Sequence, residues 1–199
     1  MVHAMDHQTT PQRTRAGLPS RFPAGGGRST GFTLVELVFT LTIAAILVSI
    51  GVPSFRYVTN ANRVASEING LLGDMQFARA EAVKEGNTVT ICSSADGATC
   101  SGATTWNTGW IVFMDGNGNK TVDANEPVLR VQAALPAGDT LGDGTTKAVT
   151  FNREGFALAL PGTTTLALHD VTANSAYTRC LAISIVGQLQ TQKYGGTCT

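Results

Sequence analysis

From Leu37 to Phe55 the chain runs nineteen residues without a charge, and the residue in front of that run is a glutamate, Glu36. At about 1.5 Å per residue, a helix of that length spans roughly 28 Å, close to the ~30 Å hydrocarbon thickness of a bilayer. A segment this apolar must be covered by lipid or by other protein. A carboxylate at its edge needs a reason, because an acidic side chain at the bilayer centre costs about 2.5–3.5 kcal/mol on insertion scales. Gly51 and Pro53, near the far end of the run, are expected to bend or soften the helix.

The segment ahead of the run differs sharply from it. Residues 1–31 are polar, rich in Pro and Gly, and carry Arg13, Arg15, Arg21 and Arg28 against Asp6 alone. That composition reads as a basic leader rather than a fold element. An ordinary signal peptide is cut after its apolar core, at a small-residue site. Here no such site comes after Pro53, and the break in polarity falls before the core, at Gly31–Phe32.

Past the run, the chain keeps a helical period. Val64, Ile68, Leu71, Leu72, Met75, Ala78, Ala82 and Val83 recur at three- and four-residue spacing, with Arg63, Glu67, Asp74, Arg79 and Glu81 between them. Gly86-Asn87 is a stop signal. The pattern predicts one long helix, Phe32 to Glu85, apolar enough for a membrane in its first half and amphipathic in its second.

Beyond Asn87 the period changes to two. Strands are predicted at Thr88–Cys92, Gly109–Met114, Pro127–Ala134, Ala148–Phe151, Phe156–Leu160, Thr165–His169, Cys180–Val186 and Gln188–Lys193, separated by Gly/Asn/Asp turn clusters. The expected fold class is therefore α+β: one long N-terminal helix packed on an antiparallel β-sheet domain. The expected organisation is a leader over 1–31, a membrane or fibre-core helix over 32–55, and an α+β domain over 56–199.

Formal charge balances over the whole chain, but the segment after residue 31 holds 10 basic and 13 acidic residues. An acidic body is a poor start for binding nucleic acid, where phosphate contacts supply most of the affinity. The sequence contains no GxSxG, HExxH or P-loop, so no enzyme chemistry is indicated. Four cysteines allow three pairings. In an exported chain, near-neighbour loop closure favours Cys92–Cys100 and Cys180–Cys198. Trp106 and Trp110 are read as core or loop-anchoring aromatics, and His169 and Asp170 as surface residues.

At Gly31-Phe32-Thr33-Leu34-Val35-Glu36 the chain resembles the type IV pilin-like signal, in which a basic leader meets a Gly–Phe junction and a glutamate stands fifth after it. The downstream segments "ARAEAVKEGNTVTIC", "WNTGWIVFMDGNGNKTVDANEPVLRV", "VTFNREG" and "CLAISIVGQLQTQKYGGTC" are similar to the GspH/FimT family of minor pilins and pseudopilins. The resemblance implies cleavage by a prepilin peptidase between Gly31 and Phe32, and methylation of the new Phe32 amine. It implies a single-pass inner-membrane protein, in contact with lipid before assembly, whose C-terminal domain lies in the periplasm. That protein would enter, or prime, a type IV pilus or a type II secretion pseudopilus. Its partners would be other pilin-like subunits and the inner-membrane assembly platform, and incorporation in a pilus would make it extracellular. Glu36 would then pair with the Phe32 ammonium of a neighbouring subunit, neutralising two buried charges and fixing register.

Two smaller constellations remain. Asp115, Asn117, Asn119, Thr121, Asp123 and Glu126 stand at the 1, 3, 5, 7, 9 and 12 offsets of a calcium loop. Lys120 occupies the glycine position of such a loop and the flanks are strands, so a solvated β-turn is the favoured expectation, with no cofactor required. Some members of the family are similar in being DNA receptors, with a basic G-R-x-R stretch between the last two cysteines. Here Gln188 and Gln190 hold the arginine positions and only Lys193 is basic, so nucleic acid is not the expected partner.

Overall fold

The computed structural model describes residues 31–136, 138–193 and Cys198; the leader up to Thr30 lies outside the described residues. The chain divides into two compact units, residues 1–45 and 46–199, with the boundary inside the first helix. That helix, α1, spans Leu34–Glu85, 52 residues, and passes through Pro53 without ending. It begins two residues later than the hydrophobic pattern suggested, because Thr33 is its cap. Its end is set by Gly86, which adopts a left-handed φ of 64°. The Asn87 N–H then reaches back to the Ala82 carbonyl at 3.2 Å, satisfying an orphan acceptor of the last turn.

The amphipathic stripe is buried at Val64, Ile68, Leu71, Met75, Ala78 and Ala82. Leu72 is half-buried against the same core, and Val83 is exposed, contrary to the periodic reading. Val83 comes after Ala82 by about 100° around the axis, which turns it off the buried face.

Nine strands succeed the helix: β1 (Val89–Ser93), β2 (Trp110–Met114), β3 (Val128–Gln132), β4 (Thr140–Gly142), β5 (Ala148–Phe151), β6 (Ala157–Leu158), β7 (Thr164–His169), β8 (Arg179–Ile183) and β9 (Leu189–Lys193). They form two antiparallel sheets, ordered β3-β2-β1-β5-β6 and β4-β7-β8-β9. The three-residue β4 lies in "AGDTLGDGTT", which reads as pure turn chemistry; it pairs with β7 through Leu141 and Leu168. The strand expected to reach Val186 ends at Ile183, because Ser184–Gln188 closes the β8–β9 hairpin.

One core serves the helix and both sheets. The α1 stripe meets Val89, Ile91, Trp110, Val112, Val149 and Phe151 of the first sheet, and Leu166, Leu168, Leu181 and Ile183 of the second. Each large side chain moved from water to such a core contributes about 1.5–3 kcal/mol. The first sheet is also covered on its other face. Cys92, Ile111 and Phe113 pack there against Cys100, Val122 and Val128, so β1 is buried along its whole length. Cys92–Cys100 and Cys180–Cys198 are disulfide-bonded, with Cα separations of 5.6 and 5.8 Å.

Candidate functional site at the helix terminus and the acidic loop

The start of α1 is built by its own sequence. Thr33 Oγ1 accepts the Glu36 N–H at 3.2 Å, and the Thr33 carbonyl accepts the Leu37 N–H at 3.1 Å. Thr33 to Glu36 thus has the spacing of a capping box, a signal legible in T-x-x-E that the hydrophobic period alone passes over. Glu36 sits in the first turn, where the partial positive charge of the helix end favours a carboxylate. Gly31 and Phe32 lie just outside the first hydrogen-bonded turn. The large apolar side chains from Phe32 to Phe55 are exposed, Leu34 by 80% and Leu41 by 61%, and the helix is long and apolar enough here to cross a membrane.

The acidic segment Asp115–Glu126 is the loop between β2 and β3. Asp115 is fully buried; its Oδ2 accepts the Thr90 hydroxyl at 2.6 Å and the Lys120 N–H at 3.1 Å. Asp115 Oδ1 is buried and has no hydrogen-bond partner among the described residues. Asn117 and Asn119 each donate a side-chain amide to Asp123 Oδ2, at 2.8 and 2.9 Å. Their own Oδ1 atoms accept the N–H groups of Asn119 and Thr121. Glu126 accepts from the N–H groups of Gly116 and Asp123, one on each oxygen. Val122 turns inward against the second apolar cluster and pins the loop. The six candidate positions are therefore gathered in one loop. Among the described residues, however, no three His, Cys, Asp or Glu side chains converge as a metal cluster.

The β8–β9 turn carries Gln188, with Gln190 two residues on in β9; both are exposed. Gly187 in this turn has φ 74°, and an added Cβ would fall on the Gly155 carbonyl, so no other residue fits without a shift. Arg79 Nε donates to that same Gly155 carbonyl at 2.9 Å, which ties the β5–β6 turn beneath Gly187 to α1.

Other polar groups hold the scaffold. Trp106 and Trp110 are buried, with their indole N–H groups donating to the Thr146 carbonyl and to Asp74 Oδ2, both at 2.9 Å. Asp74 Oδ1 also pairs with Arg130 at 2.9 Å, and the Arg130 guanidinium lies 3.8 Å above the Phe77 ring. Arg63 pairs with the buried Asp139 and with Glu67. Burial pushes the Glu67 carboxyl above the usual range, opposed by the Arg63 charge. Asp96 is held well below the aspartate range, first by the Thr99 hydroxyl and then by the N–H groups of Ala98 and Thr99. Asp170, expected at the surface, is buried instead, because its carboxylate organises the turn through Thr172 and Asn174. His169 is half-buried and bonds Thr178 Oγ1 at 2.9 Å.

A family model described as type II transport protein GspH matches residues 67–187, and one described as the prokaryotic N-terminal methylation motif matches residues 27–52. Among solved structures, the chain is similar to the type IV minor pilin FimU of Pseudomonas aeruginosa strain PAO1. The TM-score is 0.54 at 23% identity, over 68% of this chain and 92% of that one. It is also similar to the minor pseudopilin EpsH from the type 2 secretion system of Vibrio cholerae, with a TM-score of 0.47 at 11% identity, over 67% of this chain and 99% of that one. No curated protein sequence matches the chain.

Proposed function

The chain belongs to the GspH family, and from that premise we propose that it is a membrane-stored fibre subunit, a minor pilin or pseudopilin of a type IV pilus or type II secretion machine. The observation that carries this reading is the contrast inside α1. Its second half buries a stripe under two sheets, while its first half presents a mostly apolar, uncovered surface headed by one acid. In this reading a prepilin peptidase cuts between Gly31 and Phe32, and lipid of the inner membrane covers the exposed half until assembly. Neighbouring copies or other pilin-like subunits then replace the lipid, with the assembly platform driving the exchange. The domain after residue 55 stands in the periplasm.

Cleavage would set a positive amine one residue before the helix cap, at the end of the helix that already carries partial positive charge. Glu36 is the group that relieves it. In a packed fibre the Glu36 carboxylate of one subunit meets the Phe32 ammonium of the next, and neither charge is left buried alone. Gln188 and Gln190 bear no charge that could release counterions, so they do not support a DNA receptor.

The test is the intact mass of protein from its native host, together with fibre content in a Glu36→Ala strain. The expected mature chain begins at a methylated Phe32. The variant should be cut and held in the membrane, yet enter fibres at least about tenfold less well, the loss expected when a buried ion pair is broken. An uncut chain, or wild-type incorporation of the variant, would overturn the proposal.

A further inference from the structure

We propose that the β2–β3 loop, Asp115 to Glu126, is a calcium site. This does not depend on which fibre the subunit serves. The twelve residues place oxygen-bearing groups at every ligand offset of an EF-type loop, here carried between two strands. Spacing alone would not carry the point; the buried end of the loop does. Asp115, at the first ligand position, is fully enclosed, and its Oδ1 has no partner among the described residues. A buried carboxylate oxygen without a donor is costly, and a cation is the simplest group that satisfies it. The other oxygen, Oδ2, is held between the Lys120 N–H of the loop and the Thr90 hydroxyl of β1, so the carboxylate stands where the loop meets the sheet.

The sequence raises one objection, the lysine at the position where such a loop turns on a glycine. The backbone answers it. Lys120 adopts φ 63°, the left-handed conformation that a glycine is normally used to reach. The turn is made, at the expense of strain and a nearby positive charge.

The remaining donors are suitably free. Asn117 Oδ1 and Asn119 Oδ1 each accept one backbone N–H and keep a second lone pair. Both Glu126 oxygens likewise accept one N–H each, leaving capacity for bidentate ligation. Asp123 Oδ2 is hydrogen-bonded by two side-chain amides, a role the cation would take over. With the Thr121 carbonyl the set is seven oxygen donors from six residues, hard ligands that suit calcium. Asp115, Asp123 and Glu126 do not converge on one point among the described residues, and a lysine stands beside them, which places the affinity at the weak end, about 10⁻⁴–10⁻³ M, the range of extracellular calcium modules.

The experiment uses the full chain in detergent micelles, stripped with EDTA and titrated with calcium chloride by calorimetry. Unfolding is followed by tryptophan fluorescence. Calcium should bind at one site, and at about 5 mM should raise the midpoint by roughly 2–5 °C, with magnesium giving less than half of that. Glu126→Gln should weaken binding at least about tenfold, by removing the bidentate ligand. Lys120→Gly, which relieves the strain and removes the opposing charge, should tighten it about three- to tenfold. A purely structural loop gives no such gain. No saturable heat with an unchanged midpoint would overturn the site. So would a Glu126→Gln chain with wild-type affinity, or a Lys120→Gly chain that binds more weakly.

Discussion

The two halves of α1 share one continuous backbone and differ in what covers their side chains. Around Leu71 the helix is enclosed, with Val64, Ile68, Met75 and Ala78 against two sheets. Around Leu41 the same residue type stands 61% exposed. Both halves are regular helix, so local propensity does not separate them. The difference lies in charge: the second half carries Arg63, Glu67, Asp74 and Arg79 between its apolar positions, and the first carries none after Glu36. A charged face tells a helix which side to leave in water. A helix without one has no preferred side, and must be surrounded.

Matched substitutions would break this comparison if it is wrong. Leu71→Ala should cost about 2–5 kcal/mol and lower the thermal midpoint of the detergent-held protein by at least about 5 °C. Leu41→Ala should move that midpoint by less than about 1 °C, since it leaves no cavity in the core. Equal shifts would mean that both halves pack on the domain.

Next in size is Asp74→Ala, which strands the buried Trp110 N–H and frees Arg130. The expected loss is about 1–3 kcal/mol by chemical denaturation, where a surface pair alone would give less than about 1. Glu67→Gln tests the one acid in the packed half that burial pushes upward. Because the folded protein holds this proton more tightly than the unfolded chain, wild-type stability rises as pH falls through the window above the ordinary glutamate value of 4.5. The glutamine variant should therefore match or exceed the wild type at pH 7 by about 0.5 kcal/mol, and lose that advantage as the pH is brought below that window. Val83→Ala, at a position that shares the stripe's spacing but not its burial, should stay within about 0.5 kcal/mol of wild type.

Where a pattern repeats, the sequence reports it; where a single contact decides, it does not. The α1 stripe and seven of the eight predicted strands match observed elements to within about two residues at most ends, because several residues vote on each. The strand predicted to run on through Val186 overshot, since its turn is set by Ser184 and Gly187 and not by hydrophobicity. The strand β4 is three residues long and offers no period to find. Asp170 read as surface because aspartates usually are, and only the turn it organises explains its burial. The sites divide the same way. Glu36 and the Gly31–Phe32 junction stand out against an apolar background. The quality of the acidic loop turned on one backbone angle at Lys120 and one unpartnered oxygen at Asp115, and neither is written in residue spacing.

The cap at Thr33 has a consequence for maturation. Both acceptors that close the first turn belong to Thr33, so this cap is built from the residue that comes after Phe32. A peptidase severing the chain after Gly31 would trim a coil already finished, without unwinding it.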